Sequence, residues 1–127
     1  MVNQVERHPW LPQRELTDLD DRGFIVLIAY HQRTGIVTEA WSPLARGRLL
    51  TDPILVDLPH DLGRTPAKAV LRWHLQRGTV VIPKSAQAHR IRENAKVFDF
   101  DLGPERLARL DRLETGGRTG MDPDDRD

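Results

Sequence analysis

Val80-Val81-Ile82-Pro83-Lys84-Ser85, running on into Ala86-Gln87-Ala88-His89-Arg90-Ile91-Arg92-Glu93-Asn94, is the stretch whose reading decides the fold. It begins as a short β-branched run, is cut by a proline, and turns abruptly polar. From Gln87 the period becomes helical, with Ile91, Ala95 and Phe98 at i, i+4 and i+7 expected on one apolar face. A strand that ends in a basic residue and a hydroxyl, then feeds a helix N-terminus, suits an anion. Free N–H groups and the positive end of the helix dipole both favour phosphate there. Arg90 and Asn94 are four residues apart and share a face, with Glu93 on its flank. The pattern suggests a phosphate, with a nucleotide as one carrier of it.

Composition bounds the rest. A chain of 127 residues suits one ordinary domain with a modest core. The 19 basic and 19 acidic residues cancel, which argues against a general attraction to nucleic acid or an anionic membrane. With no cysteine, disulfides, thiolate catalysis and cysteine metal sites are excluded. No window approaches 18 apolar residues and no leader pattern opens the chain, so a soluble, cytoplasmic protein is expected. Sixteen of the basic residues are arginine, leaving Lys84 one of three lysines. That skew is a hint that Lys84 has a use.

Outward from the opening stretch, strands alternate with helices. Val2 to Glu6 alternates apolar and polar residues like a half-buried strand. His8-Pro9-Trp10-Leu11-Pro12 reads as a rigid turn, with a short helix from Pro12 through Leu16. Phe24 to Tyr30 is the most apolar run, a buried strand first and a buried helix second. Gly23-Phe-Ile-Val…Ala-Tyr is echoed by Gly35-Ile-Val…Ala-Trp41, two short matches that do not establish a duplication. Gly35 to Trp41 reads as a strand and Ser42 to Arg48 as the loop after it, and Pro53 starts a short helix. Thr65-Pro66 is a helix start with a hydroxyl N-cap and proline at N1, and Gly78 is its stop. Ala67, Val70, Leu71 and His74 share one face of it. Pro104 opens a last helix carrying Leu107, Leu110 and Leu113. Gly116 to Asp127 has little to bury and is expected to be a loose tail. The alternation predicts an α/β fold with a parallel sheet of about three or four strands and open edges.

Taken together, Val2-Asn-Gln-Val-Glu…His8-Pro9, Glu39-Ala-Trp-Ser-Pro-Leu44, Thr65-Pro-Ala…Val70-Leu-Arg-Trp73, Ile82-Pro-Lys-Ser85…Arg90-Ile-Arg-Glu-Asn94 and Phe98-Asp-Phe-Asp-Leu102 resemble the aldo-keto reductases. Within that family the likeness is to bacterial members of the 2,5-diketo-gluconate reductase type. The resemblance implies a partial (β/α)₈ TIM barrel, about its last three β/α units, over residues 1–115. An unmatched insertion lies at about 17–28 and the tail at 116–127. Complete family barrels run to about 250 residues or more, so the chain is expected to correspond to the C-terminal half, from about the sixth strand.

What the resemblance implies for function divides in two. The family's catalytic Asp, Tyr, Lys and His belong to the other half, so no residue here is assigned as catalytic and none as a metal ligand. Tyr30, the only tyrosine, is not carried over as the general acid, nor His8 as the catalytic histidine. The cofactor side does carry over, to NADP(H). Gln4 would bond the nicotinamide carboxamide and Trp41 would stack on its ring. Ser42, Leu44, Arg46 and Gly47 would lie along the pyrophosphate. Lys84, Ser85 and Arg90 would hold the 2′-phosphate, with Glu93 and Asn94 at the adenine. Arg46 departs from the small or neutral residue that family members often carry there.

The plainer readings stand beside these. Pro83-Lys84-Ser85 alone could be a strand-ending turn with a solvated lysine, Trp41 a core residue, Gln4 one polar face of a strand. The five histidines have no ligand-like spacing, the Asp-rich tail lacks the Gly and Glu of a calcium loop, and no Gly-x-Ser-x-Gly, Gly-x-Gly-x-x-Gly or P-loop pattern occurs. The leading expectation is an NADP(H)-dependent oxidoreductase fragment that lacks the proton donor for its carbonyl substrate. Its rivals are a non-catalytic nucleotide-binding or interaction module, dimeric through open barrel edges, and a truncated product with no stable fold.

Overall fold

The computed structural model describes residues 1–13, 31, 33–58 and 63–121. Three parallel strands lie in chain order, β1 (Val2–Glu6), β2 (Val37–Trp41) and β3 (Val80–Val81). Val2 pairs with Val37 and Glu6 with Trp41, while Glu39 and Ala40 meet Val80 and Val81. The strands expected at Val2–Glu6, Gly35–Trp41 and Val80 onward are present, the second from Val37 and the third stopping before Ile82. Parallel neighbours need a crossover between them. The one joining β2 to β3 carries a 3₁₀ stretch (Ala45–Thr51) and the helices α1 (Pro53–Asp57) and α2 (Pro66–Gln76). After β3 come α3 (Ala88–Ala95) and α4 (Pro104–Asp111).

Helix α2 forms where its local signals place it. Thr65 Oγ1 accepts from the Lys68 N–H at 3.4 Å and Pro66 occupies the first turn. Gly78 turns the chain at φ +67°, a conformation open to glycine without a Cβ penalty. Val70, Leu71, Trp73 and His74 are buried on the inward side of the helix, and Ala67 is partly so. Ala45, Leu49, Leu55, Leu58, Ala69, Val70, Trp73, Leu102, Leu110 and Leu113 form the core. Directed polar contacts fasten its rim. Trp73 Nε1 donates to Asp111 Oδ1 at 2.8 Å, tying α2 to α4. The Gln76 amide receives the Leu102 N–H at 2.9 Å and donates to the Leu102 carbonyl at 3.1 Å.

Several expectations are corrected. The helical period read on to Phe98 is cut short, because α3 ends at Ala95, although Ile91, Ala95 and Phe98 do share one side and line a common apolar cleft, with Phe98 74% exposed. The stripe borders an open cleft walled by Leu71 and Leu75 and is not buried by the described residues. Helix formation does not begin at Pro12. Gln13 adopts φ +56° and its side-chain amide donates to the Glu6 carbonyl at 2.9 Å. The rest of that expected helix, and the Phe24–Tyr30 run, lie outside the described residues. Gly116–Met121, expected to be loose, instead crosses the sheet end. The Thr119 N–H donates to Glu6 Oε1 at 2.6 Å and the Gly120 N–H to Glu6 Oε2 at 3.2 Å. The remainder of the tail is outside the described residues.

Candidate functional site

In a parallel sheet the carboxyl ends of all strands face one side, where the following loops gather. Here those ends are Glu6, Trp41 and Val81. The loops after β2 and β3 enclose a cleft of about 520 Å³. Of the expected site residues, Ser42, Leu44, Arg46, Gly47, Lys84 and Arg90 all line it, with Pro43, Leu50, Ile82 and Pro83. Three cations and no carboxylate are among these residues. None of the three makes an ion pair among the described residues. Guanidinium and ammonium groups gathered without counter-charge suit a polyanion, arginine supplying the planar fork that matches phosphate.

Backbone geometry reinforces that character. Ser42, Ala45, Arg46 and Gly47 have φ of +53°, +48°, +54° and +85°. Left-handed backbone costs a non-glycine residue about 1–2 kcal/mol, so three such residues in one loop persist only if their surroundings hold them. Two supports are visible. Ala45 and Leu49 are fully buried in the core, and His74 Nε2 donates from α2 to the Pro43 carbonyl at 3.2 Å. At the other wall, α3 starts without a side-chain cap and without an acidic residue in its first turn. Its leading N–H groups are therefore available to an anion.

The remaining expected residues are placed elsewhere. Ser85 Oγ accepts from the Gln87 N–H at 3.2 Å and shapes the turn into α3 without lining the cleft. Asn94 lines an adjoining apolar cleft of about 490 Å³ with Leu71, Leu75, Ile91 and Phe98, and Glu93 lines neither. Gln4 lies on the sheet face, its amide donating to Glu39 Oε1. Trp41, partly exposed, closes β2 beside Ser42, and Gly120 packs against its ring.

Three further residues act on the site unannounced by the sequence. His74 read only as a helix-face residue, yet it is fully buried, and that burial pushes its pKa down to about 3 despite the Pro43 bond. Its donated Nε2 proton leaves Nδ1 as the bare nitrogen, which has no hydrogen-bond partner among the described residues. Glu6 is 3% exposed. Burial opposes its ionisation, but bonds from Thr119, His8 and Gly120 outweigh this and hold its pKa below the usual carboxylate range. Thr119 completes the set, its hydroxyl bonded to Glu6 Oε1 and lying 3.0 Å from Ser42 Oγ. The alternation of β1 could have marked Glu6 as facing one side, but no spacing rule links it to Thr119.

Comparison with known proteins agrees with this architecture. The model of the Aldo/keto reductase family matches residues 1–115. An aldo-keto reductase of Mycolicibacterium smegmatis is 47% identical over 122 residues, covering 96% of this chain and 40% of that protein. The 2,5-diketo-D-gluconic acid reductase B of a Corynebacterium species is 46% identical over 124 residues, 97% of this chain and 41% of that one. Among solved structures, a mutant of Gox0644 in complex with NADPH superposes with a TM-score of 0.84 at 38% identity. It matches 99% of this chain and 43% of its own. The chain thus spans about 40% of the length of these relatives, and the small parallel sheet with its helices is part of a TIM barrel. The chain belongs to the aldo/keto reductase family.

Proposed function

We propose that this chain carries the NADP(H)-holding part of an aldo-keto reductase, an oxidoreductase that reduces a carbonyl to an alcohol. The observation that supports it best is the cleft in which Arg46, Lys84 and Arg90 converge with no carboxylate among its lining residues. Lys84 and Arg90 would hold the adenosine 2′-phosphate. Arg46, Gly47 and the uncapped start of α3 would receive the pyrophosphate, and Leu44 and Leu50 supply apolar contact. Trp41 would stack on the nicotinamide, with Gln4 at its carboxamide. Ser85 serves by shaping the Lys84 turn, and Glu93 and Asn94 are assigned to the adenine side on family resemblance alone. The cofactor, when bound, supplies the hydride, and the protein's share is orientation and electrostatics.

Arg90→Met tests the 2′-phosphate assignment. Losing one charged hydrogen-bonded partner is worth about 1.5–3 kcal/mol, or roughly ten- to a hundredfold in affinity. The variant is expected to weaken NADPH by that factor in a fluorescence titration and to leave NADH nearly unchanged. Equal weakening of both cofactors rules the role out. The 127-residue chain by itself, assigned no general acid, is expected to bind NADPH without reducing an aldehyde or keto-sugar. Turnover by the purified chain contradicts that assignment.

A second reading is favoured by one observation. The exposed sheet face carries Val2 beside Val37, and Val80 level with the Gln4–Glu39 pair two residues further along, with Ile82 beyond. Two copies pairing through that face would make a nucleotide-binding homodimer.

A further inference from the structure

We infer that the segment Gly116–Met121 is a strap, latched on Glu6, that positions Trp41 and Ser42 for the cofactor. The inference rests on the cofactor reading of those two residues and adds what holds them in place.

The latch is built from a buried carboxylate and three donors on the strap. Glu6 Oε1 receives the Thr119 N–H at 2.6 Å and the Thr119 hydroxyl, and Oε2 receives the Gly120 N–H at 3.2 Å. From below, His8 Nε2 donates to Oε1 at 3.2 Å. Hydrogen bonds to an ionised, desolvated acceptor are about twice as strong as neutral ones, so this is the strap's main fastening at the sheet. A second anchor fixes its start: the Thr115 and Gly116 N–H groups both donate to the Trp10 carbonyl at 3.0 Å.

Two consequences follow for the site. Gly120 abuts the six-membered ring of Trp41, and a Cβ there would overlap ring carbons. The strap therefore sets how the indole stands at the end of β2 and touches it at the ring edge, the contacted atoms being Cη2, Cζ3 and Cζ2. Only glycine at this position allows both the latch and that ring orientation. The second consequence concerns Ser42. Thr119 has one hydroxyl proton, which goes to the Glu6 carboxylate. In the 3.0 Å contact between the two hydroxyls, Ser42 Oγ must then donate and Thr119 Oγ1 accept. The relay Ser42→Thr119→Glu6 commits the Ser42 proton and leaves Ser42 Oγ as an acceptor. While the latch is closed, its fitting partner is an N–H or O–H group of the ligand and not an anionic oxygen, which departs from the pyrophosphate contact that the family resemblance implies for Ser42.

The test follows the Trp41 indole N–H by ¹⁵N–¹H NMR in the 127-residue chain, with an NADPH titration run in parallel. Trp41 is assigned by its Trp41→Phe variant. Gly120→Ala is expected to shift the Trp41 signal and weaken NADPH roughly two- to tenfold, the worth of one aromatic contact. Thr119→Val, which keeps the backbone donor and removes the relay, is expected to shift it less. Met121→Ala, at an exposed neighbour, leaves both readouts unchanged. Circular dichroism checks folding, and should Gly120→Ala fail to fold, Glu6→Gln replaces it with the same expected shift. An unmoved Trp41 signal in a folded latch variant overturns the strap, as does an equal shift in Met121→Ala. If the wild-type chain fails to bind NADPH, the cofactor reading falls while the indole signal still decides whether the strap sets Trp41.

Discussion

His74 joins helix α2 to the cleft through one hydrogen bond, from Nε2 to the Pro43 carbonyl, in a fully buried setting. Burial there opposes the imidazolium and pushes the pKa down to about 3 from an ordinary value of 6.5. The sign of the linkage follows. The unfolded chain takes up a proton near pH 6.5 that the folded chain refuses, so His74 contributes stability that is complete above that pH. The contribution is lost progressively as pH falls from about 6.5 toward 3, at up to about 1.4 kcal/mol per pH unit. His8, also depressed by burial against the opposing pull of Glu6, acts in the same direction. Glu6 enters lower, because a depressed carboxylate loses its contribution only as pH drops below about 4.5 through its folded value. Urea unfolding is therefore expected to show lower stability at about pH 5 than at about pH 7.5. His74→Gln keeps an N–H for Pro43 but no titrating group, so its slope should be shallower. Equal wild-type stability at the two values would sink this account.

At the scale of elements, α1 is the sharpest case of a segment that cannot stand alone. Five residues are too few for a helix to be stable in water. Asp52 supports α1 twice: Oδ1 accepts the Ile54 N–H at 3.0 Å as an N-cap, and Oδ2 accepts the Trp10 indole N–H at 3.0 Å. Asp52→Ala removes the cap, worth about 1 kcal/mol, and strands a partly buried indole donor at a further cost of about 1–3 kcal/mol. Asp52→Asn keeps the cap oxygen and loses only the indole acceptor. The expected order in urea unfolding is wild type, then Asn, then Ala, and an Ala variant no weaker than Asn contradicts it. Helix α3 makes the opposite point. Its start near Gln87 was legible, but its end at Ala95 was not, and its apolar stripe lines an open cleft with Leu71 and Leu75, because periodicity reports which face is apolar and not what lies against it.

Across the whole molecule, β1 and β3 are the sheet edges among the described residues, and on one sheet face Val2 is 57%, Val37 44% and Val80 42% exposed. An aldo-keto reductase barrel closes with eight strands, and the chain spans about 40% of its relatives' length. The exposed valines share that face with the hydrogen-bonded Gln4–Glu39 pair, so it is a mixed surface and not a continuous apolar one. Replacing Val37 and Val80 together by Thr is expected to change unfolding free energy by less than about 1 kcal/mol, since exposed positions contribute little. The same change should lower ANS binding and any self-association seen in sedimentation. Leu110→Ala, fully buried in the core, should cost about 2–5 kcal/mol. If the double variant proves as damaging as the core one, the face is already covered within the chain.

By itself the sequence determined the alternation of strands and helices, the capped start of α2, the turn at Gly78 and the cluster of Lys84 and Arg90. Each of these rests on residues close together in the chain, where proline, glycine, capping hydroxyls and periodicity act directly on the local backbone. Arg46 was placed in the site by family resemblance, and it is the pairing of β2 with β3 that brings it to the same cleft as Lys84 and Arg90. Tertiary structure alone decided which polar groups lose their water. Glu6 finds Thr119 across 113 residues and His74 finds Pro43 across 31. No spacing encodes such pairs, because desolvation is set by the packing of the whole chain around them, and that packing turned a strand glutamate and a helix histidine into supports of the site.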